Sequence, residues 1–279
     1  MAMTNVEMTN DKISAAIIQQ GLRTRVLGRR VVYYERIGST NDAARQLADA
    51  GEPDGTLVIA DEQSAGRGRL GRAWIAPARS SLLMSLVLRL DLTPAQVSRV
   101  TMAVALGACD AIRAETGLPA QIKWPNDLLV RGKKCAGILA ESGIVGEKLE
   151  YVIVGIGVNV NFAVASVADI PPDATSIANE LGRSFPRAQL AQAILRAIEL
   201  HYSRLRAGKN SRDEYKHRLA TLDQFVQAQT AQQIVEGIAV DVDENGALVL
   251  QRADGSIVQL LAGDVTLSHR DSEGTLGNS

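Results

Sequence analysis

Four short segments of this chain combine charged or amide side chains with glycine in patterns that could do chemistry. In Gln63-Ser64-Ala65-Gly66-Arg67-Gly68-Arg69-Leu70-Gly71-Arg72-Ala73-Trp74, glycines let backbone N–H groups approach anionic oxygens, and interleaved guanidiniums can grip a carboxylate or phosphate with two bonds each. Such a loop suits a small anion. The same composition also describes a solvated surface loop or an arginine-glycine binder of nucleic acid. Lys123-Trp124-Pro125-Asn126-Asp127 is followed by Lys134 beyond the turn Arg131-Gly132. If the flanking strands pair, an ammonium, an amide and a carboxylate meet at one sheet end; otherwise the segment is a Pro-Asn turn with ordinary surface charges. Gly155-Ile156-Gly157-Val158-Asn159 lacks the third glycine and the helix of a dinucleotide fingerprint, and fits better as a strand against which a ligand can lie. Ser39-Thr40-Asn41 serves equally as a helix cap or a ligand contact.

The elements that must position these groups follow from hydrophobic period and punctuation. Before Val31 there is room for one helix, carried by Ile13, Ile17, Ile18 and Leu22, too little for a helix-turn-helix domain. Val31 to Tyr34 reads as a strand, Ser39 to Ala50 as a capped helix closed by Gly51, and Thr56 to Ala60 as a second strand. The apolar run Leu82 to Leu88 suits a strand buried on both faces, inside the molecule or at an interface. Thr93-Pro94 opens a core helix in which Val97, Val100, Val104, Ala108 and Ile112 recur at helical spacing up to Gly117. Gln121 to Trp124, Asp127 to Val130, Lys134 to Ala140 and Tyr151 to Val160 then alternate with turn residues, as in antiparallel sheet. Helices follow near Ala174 to Leu181 and from Pro186 to about Leu205. His201 shares the apolar stripe of the latter, which makes it a hydrogen-bonded core histidine. From Leu222 onward, Ile238 to Val242, Ala247 to Leu250 and Ile257 to Leu260 are strands joined by Asn245-Gly246 and Asp254-Gly255, strong hairpin signals. Three or four such strands make a small barrel whose first strand is ill defined, because Gln224 to Gln233 is polar. The expected organisation is an arm over 1–30, a main domain over 31–219, a barrel over 220–270 and a polar tail over 271–279.

Composition removes several function classes. With 46% hydrophobic residues, 30 Lys and Arg against 31 Asp and Glu, and a net charge of -1, the 279-residue chain is globular, without a global pull towards nucleic acid or anionic lipid. No apolar run reaches the roughly 18 residues of a membrane span, and no signal-peptide core is present. A cytoplasmic, non-membrane protein is expected. Cys109 and Cys135, with only 3 His, offer neither a disulfide framework nor an obvious zinc site; both read as small core residues.

The four segments, with the stretch around Lys134 written out, occur in one order: Ser39-Thr40-Asn41, Gln63 with Gly66-Arg67-Gly68-Arg69, Lys123-Trp124-Pro125-Asn126-Asp127 continued by Lys133-Lys134-Cys135-Ala136-Gly137-Ile138-Leu139, and Gly155-Ile156-Gly157-Val158-Asn159. This series resembles biotin-protein ligase from about Val31 to Leu219, and the hairpin-rich tail is similar to the SH3-like domain that follows in that family. The resemblance implies an α+β fold, a mixed or antiparallel sheet packed with helices like that of class II aminoacyl-tRNA synthetases, followed by a small SH3-like β-barrel. It implies the type without an N-terminal DNA-binding domain, hence no DNA partner, since only a short arm precedes Val31. In the tail, Gly263-Asp264-Val265 replaces the more usual Gly-Glu-Val.

The implied activity is ATP-dependent transfer of biotin, through biotinyl-5′-adenylate, to a lysine of the biotin carboxyl carrier domain of a carboxylase. The implied ligands are biotin as substrate, ATP and Mg2+, and the implied assembly is a monomer or homodimer. By motif position, Lys134, Arg67 and Asp127 are the catalytic candidates: Arg67 and Arg69 neutralise carboxylate and phosphate, Lys134 stabilises the α-phosphoryl transition state, and Asp127 accepts a proton from the acceptor lysine or orients it. Gly66 and Gly68 are to donate backbone N–H bonds. Ser39, Thr40, Asn41, Gln63, Gly66, Arg67, Arg69, Lys134 and Gly137 are expected around biotin. Arg69, Trp74, Asn126, Lys134 and Asn159 are expected at the nucleotide, with Asn126 and Asp127 as candidate magnesium contacts. Trp74 either faces adenine or sits in the core. A lipoate or octanoate ligase and a nucleic-acid-binding module are the alternative readings.

Overall fold

The computed structural model describes residues 11–230, 233–261 and 263–268; the first ten residues of the expected arm and the 271–279 tail lie outside them. Seven strands form the main sheet: β1 (Val31–Ile37), β2 (Leu57–Gln63), β3 (Ser81–Leu88), β4 (Ala120–Lys123), β5 (Asp127–Val130), β6 (Lys133–Val145) and β7 (Lys148–Asn159). Their order is β1-β2-β3-β7-β6-β5-β4. β1 and β2 run parallel and every other pair is antiparallel, so the sheet is mixed.

Both faces of this sheet are covered, which is why its central strands read as unbroken apolar runs. Leu57, Ile59, Leu86, Leu88, Val152 and Val154 face one core, with helices α3 (Val97–Thr116) and α5 (Arg187–Arg206). Their alternates Val58, Val87, Tyr151 and Ile153 face a second cluster with Ala43, Ala44 and Ala48 of α2 (Thr40–Asp49). All eight residues of β3 are buried, so the run from Leu82 to Leu88 is interior and not an interface. α3 and α5 cross at Gly107, where a Cβ would come within 2.5 Å of Ile198 Cα; only a residue without a side chain permits that approach.

The short helix α1 (Ala15–Gln20) occupies the expected place, with Ser14 accepting from the Ile17 N–H. The helix expected from Ala174 shortens to α4 (Ile177–Leu181), capped by Ser176. A further helix, α6 (Arg212–Arg218), is anchored by the buried Tyr215 and has too few apolar residues to show a period. β6 runs beyond Ala140 to Val145 and β7 begins at Lys148, a longer hairpin than the residue pattern suggests.

The C-terminal region is a five-stranded antiparallel sheet, ordered β11-β10-β9-β8-β12. It comprises β8 (Phe225–Gln229), β9 (Ile234–Val242), β10 (Leu248–Gln251), β11 (Ile257–Leu260) and β12 (Asp264–Ser268). Gly246 and Gly255 adopt φ 80° and 83° at the two hairpin turns. The expected three or four strands become five because β8, polar at alternate positions, pairs with both β9 and β12. Among the described residues no helix is long and apolar enough to cross a membrane.

Candidate active site

The open end of the main sheet and one edge of the small sheet border a cleft of about 620 Å³, into which the four segments converge. Ser39, Thr40, Asn41, Gln63, Arg67, Arg69, Trp74, Asn126, Asp127, Lys134, Gly137 and Asn159 all line it. Gly66 is buried behind the loop, with its carbonyl accepting from the Trp74 N–H at 2.9 Å. The Gly68 N–H donates to the Arg72 carbonyl at 2.7 Å, so the glycine-arginine segment is a small hairpin closed by the Arg67–Ala73 bridge.

Lys134 enters the cleft because the β5–β6 register skips Cys135 between the pairs Leu128–Ala136 and Leu129–Lys134, a bulge that puts Lys134 on the same face as Asp127. Its Nζ stands 2.7 Å from Asp127 Oδ1 and 5.8 Å from the Trp74 ring centroid. Arg69 donates to Asn126 Oδ1 at 3.1 Å, and the Asn126 amide is itself fixed by donating to the Ile138 carbonyl at 2.7 Å. Burial pushes the Arg69 guanidinium below the usual arginine value, against the pull of Asp264 and Asp127. An arginine so displaced still carries its charge at neutral pH.

Asn159 is 5% exposed and donates through Nδ2 to the Thr175 carbonyl at 3.0 Å. That bond turns Oδ1 away from Thr175, and this oxygen is buried without a hydrogen-bond partner among the described residues. The Trp74 Nε1 is in the same condition. Its indole lies against two strands at positions without side chains: a Cβ on Gly157 would sit 2.6 Å from Cε2, and one on Gly137 3.0 Å from Cζ3. Two orphaned buried polar atoms beside one cleft are the mark of a site that binds something polar.

At the other end, the Thr40 N–H and Oγ1 both reach Gln63 Oε1, at 2.6 and 2.9 Å. Ser39 is the N-cap residue of α2 yet makes no side-chain cap bond. Ser85, fully buried in β3, lies 2.8 Å from Thr40 Oγ1 and 2.6 Å from Asn41 Oδ1, while Asn41 donates to Glu141 at 2.7 Å. The residue pattern did not single out Ser85; its only signal is a lone hydroxyl inside an apolar strand.

Three further carboxylates were also missed. Asp42 accepts two bonds from Arg67, at 2.7 and 2.6 Å, and this pairing holds its carboxyl below the usual carboxylate range. Glu141 stands 3.6 Å from the same guanidinium. Asp264 of β12 pairs with Arg72, so the C-terminal sheet contributes to the cleft. With Arg67 engaged by Asp42 and Glu141, Arg69 by Asn126 and Arg72 by Asp264, the loop arginines do not form the broad basic surface that tracking a nucleic-acid backbone requires. His201 is buried as expected, 4% exposed, and does not line the cleft, but the expected hydrogen bond is not formed among the described residues: Nε2 stands 3.7 Å from Asp110 and Nδ1 has no partner. Among the described residues no group of three His, Cys, Asp or Glu is placed to hold a metal ion.

Comparison with known proteins adds a family context. Residues 33–159 match the biotin/lipoate A/B protein ligase family, and residues 221–268 match the biotin protein ligase C-terminal domain. A biotin--[acetyl-CoA-carboxylase] ligase of Mycobacterium tuberculosis is 35% identical over 272 residues, covering 91% of this chain and 97% of that protein. A bifunctional ligase/repressor of Bacillus spizizenii is 34% identical over 268 residues, covering 92% of this chain and 79% of the relative. The solved biotin protein ligase of Aquifex aeolicus in complex with biotin and ATP aligns with TM-score 0.70 at 24% identity, over 86% of this chain and 99% of that one; this likeness is one of fold.

Proposed function

The chain belongs to the biotin/lipoate A/B protein ligase family, and from that premise we propose that it joins biotin to a lysine of a biotin carboxyl carrier domain through biotinyl-5′-adenylate. The observation that carries this reading is the convergence of Arg69 and Lys134 with the orphaned Asn159 Oδ1 and Trp74 Nε1 on one cleft. In the first step the biotin carboxylate oxygen attacks the α-phosphorus of ATP and pyrophosphate leaves with the electrons of the cleaved P–O bond. Carboxylate and triphosphate repel each other, so fixed positive charge at their meeting point lowers the barrier. Lys134 supplies that charge where phosphoryl oxygens accumulate it, and Arg69 supplies a second cation. Asp127 holds the ammonium in place at 2.7 Å.

Biotin is a compact, mostly apolar ring system with a polar ureido edge, and its pocket needs a few fixed hydrogen bonds. The Ser85–Thr40–Gln63 network supplies rigidly held ones. Trp74 offers a flat face to the adenine, and Asn159 an acceptor to the ribose or phosphate end.

Asn126 and Asp127 are adjacent oxygen donors, and a magnesium ion that keeps most of its ligands as water and phosphate oxygen asks for no more than one or two protein groups. These two residues would hold it, and the ion would offset charge on the departing pyrophosphate. In the second step the carrier lysine, having lost a proton, attacks the acyl carbon and AMP leaves. Among the motif residues, Asp127 is the carboxylate to accept that proton or to orient the incoming ammonium.

Incubating the protein with ATP, a biotin carboxyl carrier domain and either biotin or lipoate tests the proposal by the mass added to the carrier. A biotinyl increment supports it; a lipoyl increment instead, or none with either acid, overturns it.

A further inference from the structure

Arg67 differs from the other cleft cations in how it is held. Two of its guanidinium nitrogens reach the two oxygens of Asp42, at 2.7 and 2.6 Å, the parallel two-bond geometry that makes an arginine–carboxylate pair most specific. Glu141 lies 3.6 Å away, and Arg45 stands 3.5 Å from Glu141. Two guanidiniums and two carboxylates already balance, so this spot gives an incoming anion no net positive charge. Asp42 sits in the first turn of α2, where the helix dipole favours a carboxylate. Arg69, by contrast, hydrogen-bonds the neutral amide of Asn126.

The position of Arg67 in its hairpin gives the pair a mechanical consequence. Arg67 bridges Ala73 across the loop, the Trp74 N–H donates to the Gly66 carbonyl, and the Trp74 indole then lies on Gly157 and Gly137 inside the cleft. Fixing Arg67 to α2 therefore fixes the leg that carries Trp74.

We infer that Asp42 and Arg67 form a clasp which holds the glycine-arginine loop over the cleft, Asp42 being a positioning residue and Arg67 acting through the clasp rather than as counter-charge to the ligand. In the reaction the clasp retains the adenylate, a step that rests on the biotin-ligase reading above. The opposite view, that Asp42 merely occupies Arg67 until an anionic ligand displaces it, makes predictions of opposite sign.

The test compares Asp42→Asn, Arg67→Gln, the double variant and Asp42→Glu as full-length chains. Acrylamide quenching of tryptophan fluorescence needs no ligand and reports Trp74, because Trp124 is 1% exposed. The clasp predicts more quenching in Asp42→Asn and in Arg67→Gln, the double variant no worse than either, and recovery in Asp42→Glu. Since the pair is partly exposed, the rate at which biotinyl-adenylate escapes should rise only about fivefold in the single variants. Unchanged quenching, additive effects, or slower escape with a lowered KM for biotin in Asp42→Asn would overturn the clasp. If the unaltered protein makes no adenylate from biotin and ATP, the functional reading fails, while quenching still decides the clasp.

Discussion

Lys134 and Asp127 lie on neighbouring antiparallel strands and meet at 2.7 Å because a bulge between Leu128 and Leu129 shifts the register between them. The strand pair thereby delivers an ammonium and a carboxylate to one end of the sheet, each fixing the other. Removing either partner should affect the two half-reactions differently. Lys134→Ala is expected to slow adenylate formation about a hundredfold, the usual cost of losing a preorganised charge at a developing anion, with biotin binding largely kept. Asp127→Asn is expected to slow transfer from adenylate to carrier more than adenylate formation. Single-turnover assays of each step check both; a Lys134→Ala enzyme at full rate would remove the assignment.

Gly157 is where the Trp74 indole meets β7, and a Cβ there would stand 2.6 Å from Cε2. Such an overlap forces the ring away while leaving the strand's backbone bonds intact. Gly157→Ala should therefore raise acrylamide quenching of Trp74 and the KM for ATP, the latter by about tenfold on the scale of one lost stacking contact, with little change in Tm. An unchanged KM for ATP would separate Trp74 from the nucleotide.

Burial pushes both thiols, Cys109 and Cys135, up to about 12. At pH 8 only about one thiol in ten thousand is then ionised, and the thiolate is the reactive form. Native protein should resist an aromatic disulfide reagent at pH 8 and release two equivalents of thiol once unfolded, matching the 2 cysteines of the sequence. Rapid reaction in the native state would contradict their burial.

Asp110 ties α3 to two other helices, with Arg218 Nε donating to it at 2.9 Å and His201 3.7 Å away. The neighbouring His201 imidazole and the Arg218 guanidinium hold its carboxyl below the usual range. A carboxylate whose folded pKa is depressed adds stability above its unfolded value of about 3.9, and that contribution disappears as pH falls through the lower folded value. Asp110→Asn should melt about 1–2 °C lower than the unaltered chain at pH 7, a small figure because the pair is partly solvent-screened. The gap should close below about pH 3.9; a gap that stays constant in melts from pH 7 to pH 3 would assign the effect to another cause.

How much of this was legible in the sequence depends on the range of the interaction. The strands of the main sheet and the helices α3 and α5 follow from local period, since Val97 to Ile112 or Leu82 to Leu88 carry their own signal. The hairpin turns at Gly246 and Gly255 were legible for the same reason. β8 and α6 were not, because their few apolar residues, such as Val226 and Tyr215, are buried by partners distant in sequence. Among the site residues, glycine and arginine spacing exposed the loop, but Ser85, Asp42, Glu141 and Asp264 each act through a partner on another element. No local pattern reports that Asp264 meets Arg72 across 192 positions of chain.

Biotin-dependent exchange of labelled pyrophosphate into ATP tests the central claim most directly, because it registers the acid, the nucleotide and the reaction between them at once. The cleft predicts exchange with biotin that is absent without it and falls about a hundredfold in Lys134→Ala. Exchange that needs no biotin, that keeps its full rate in Lys134→Ala, or that fails with biotin altogether would contradict the account.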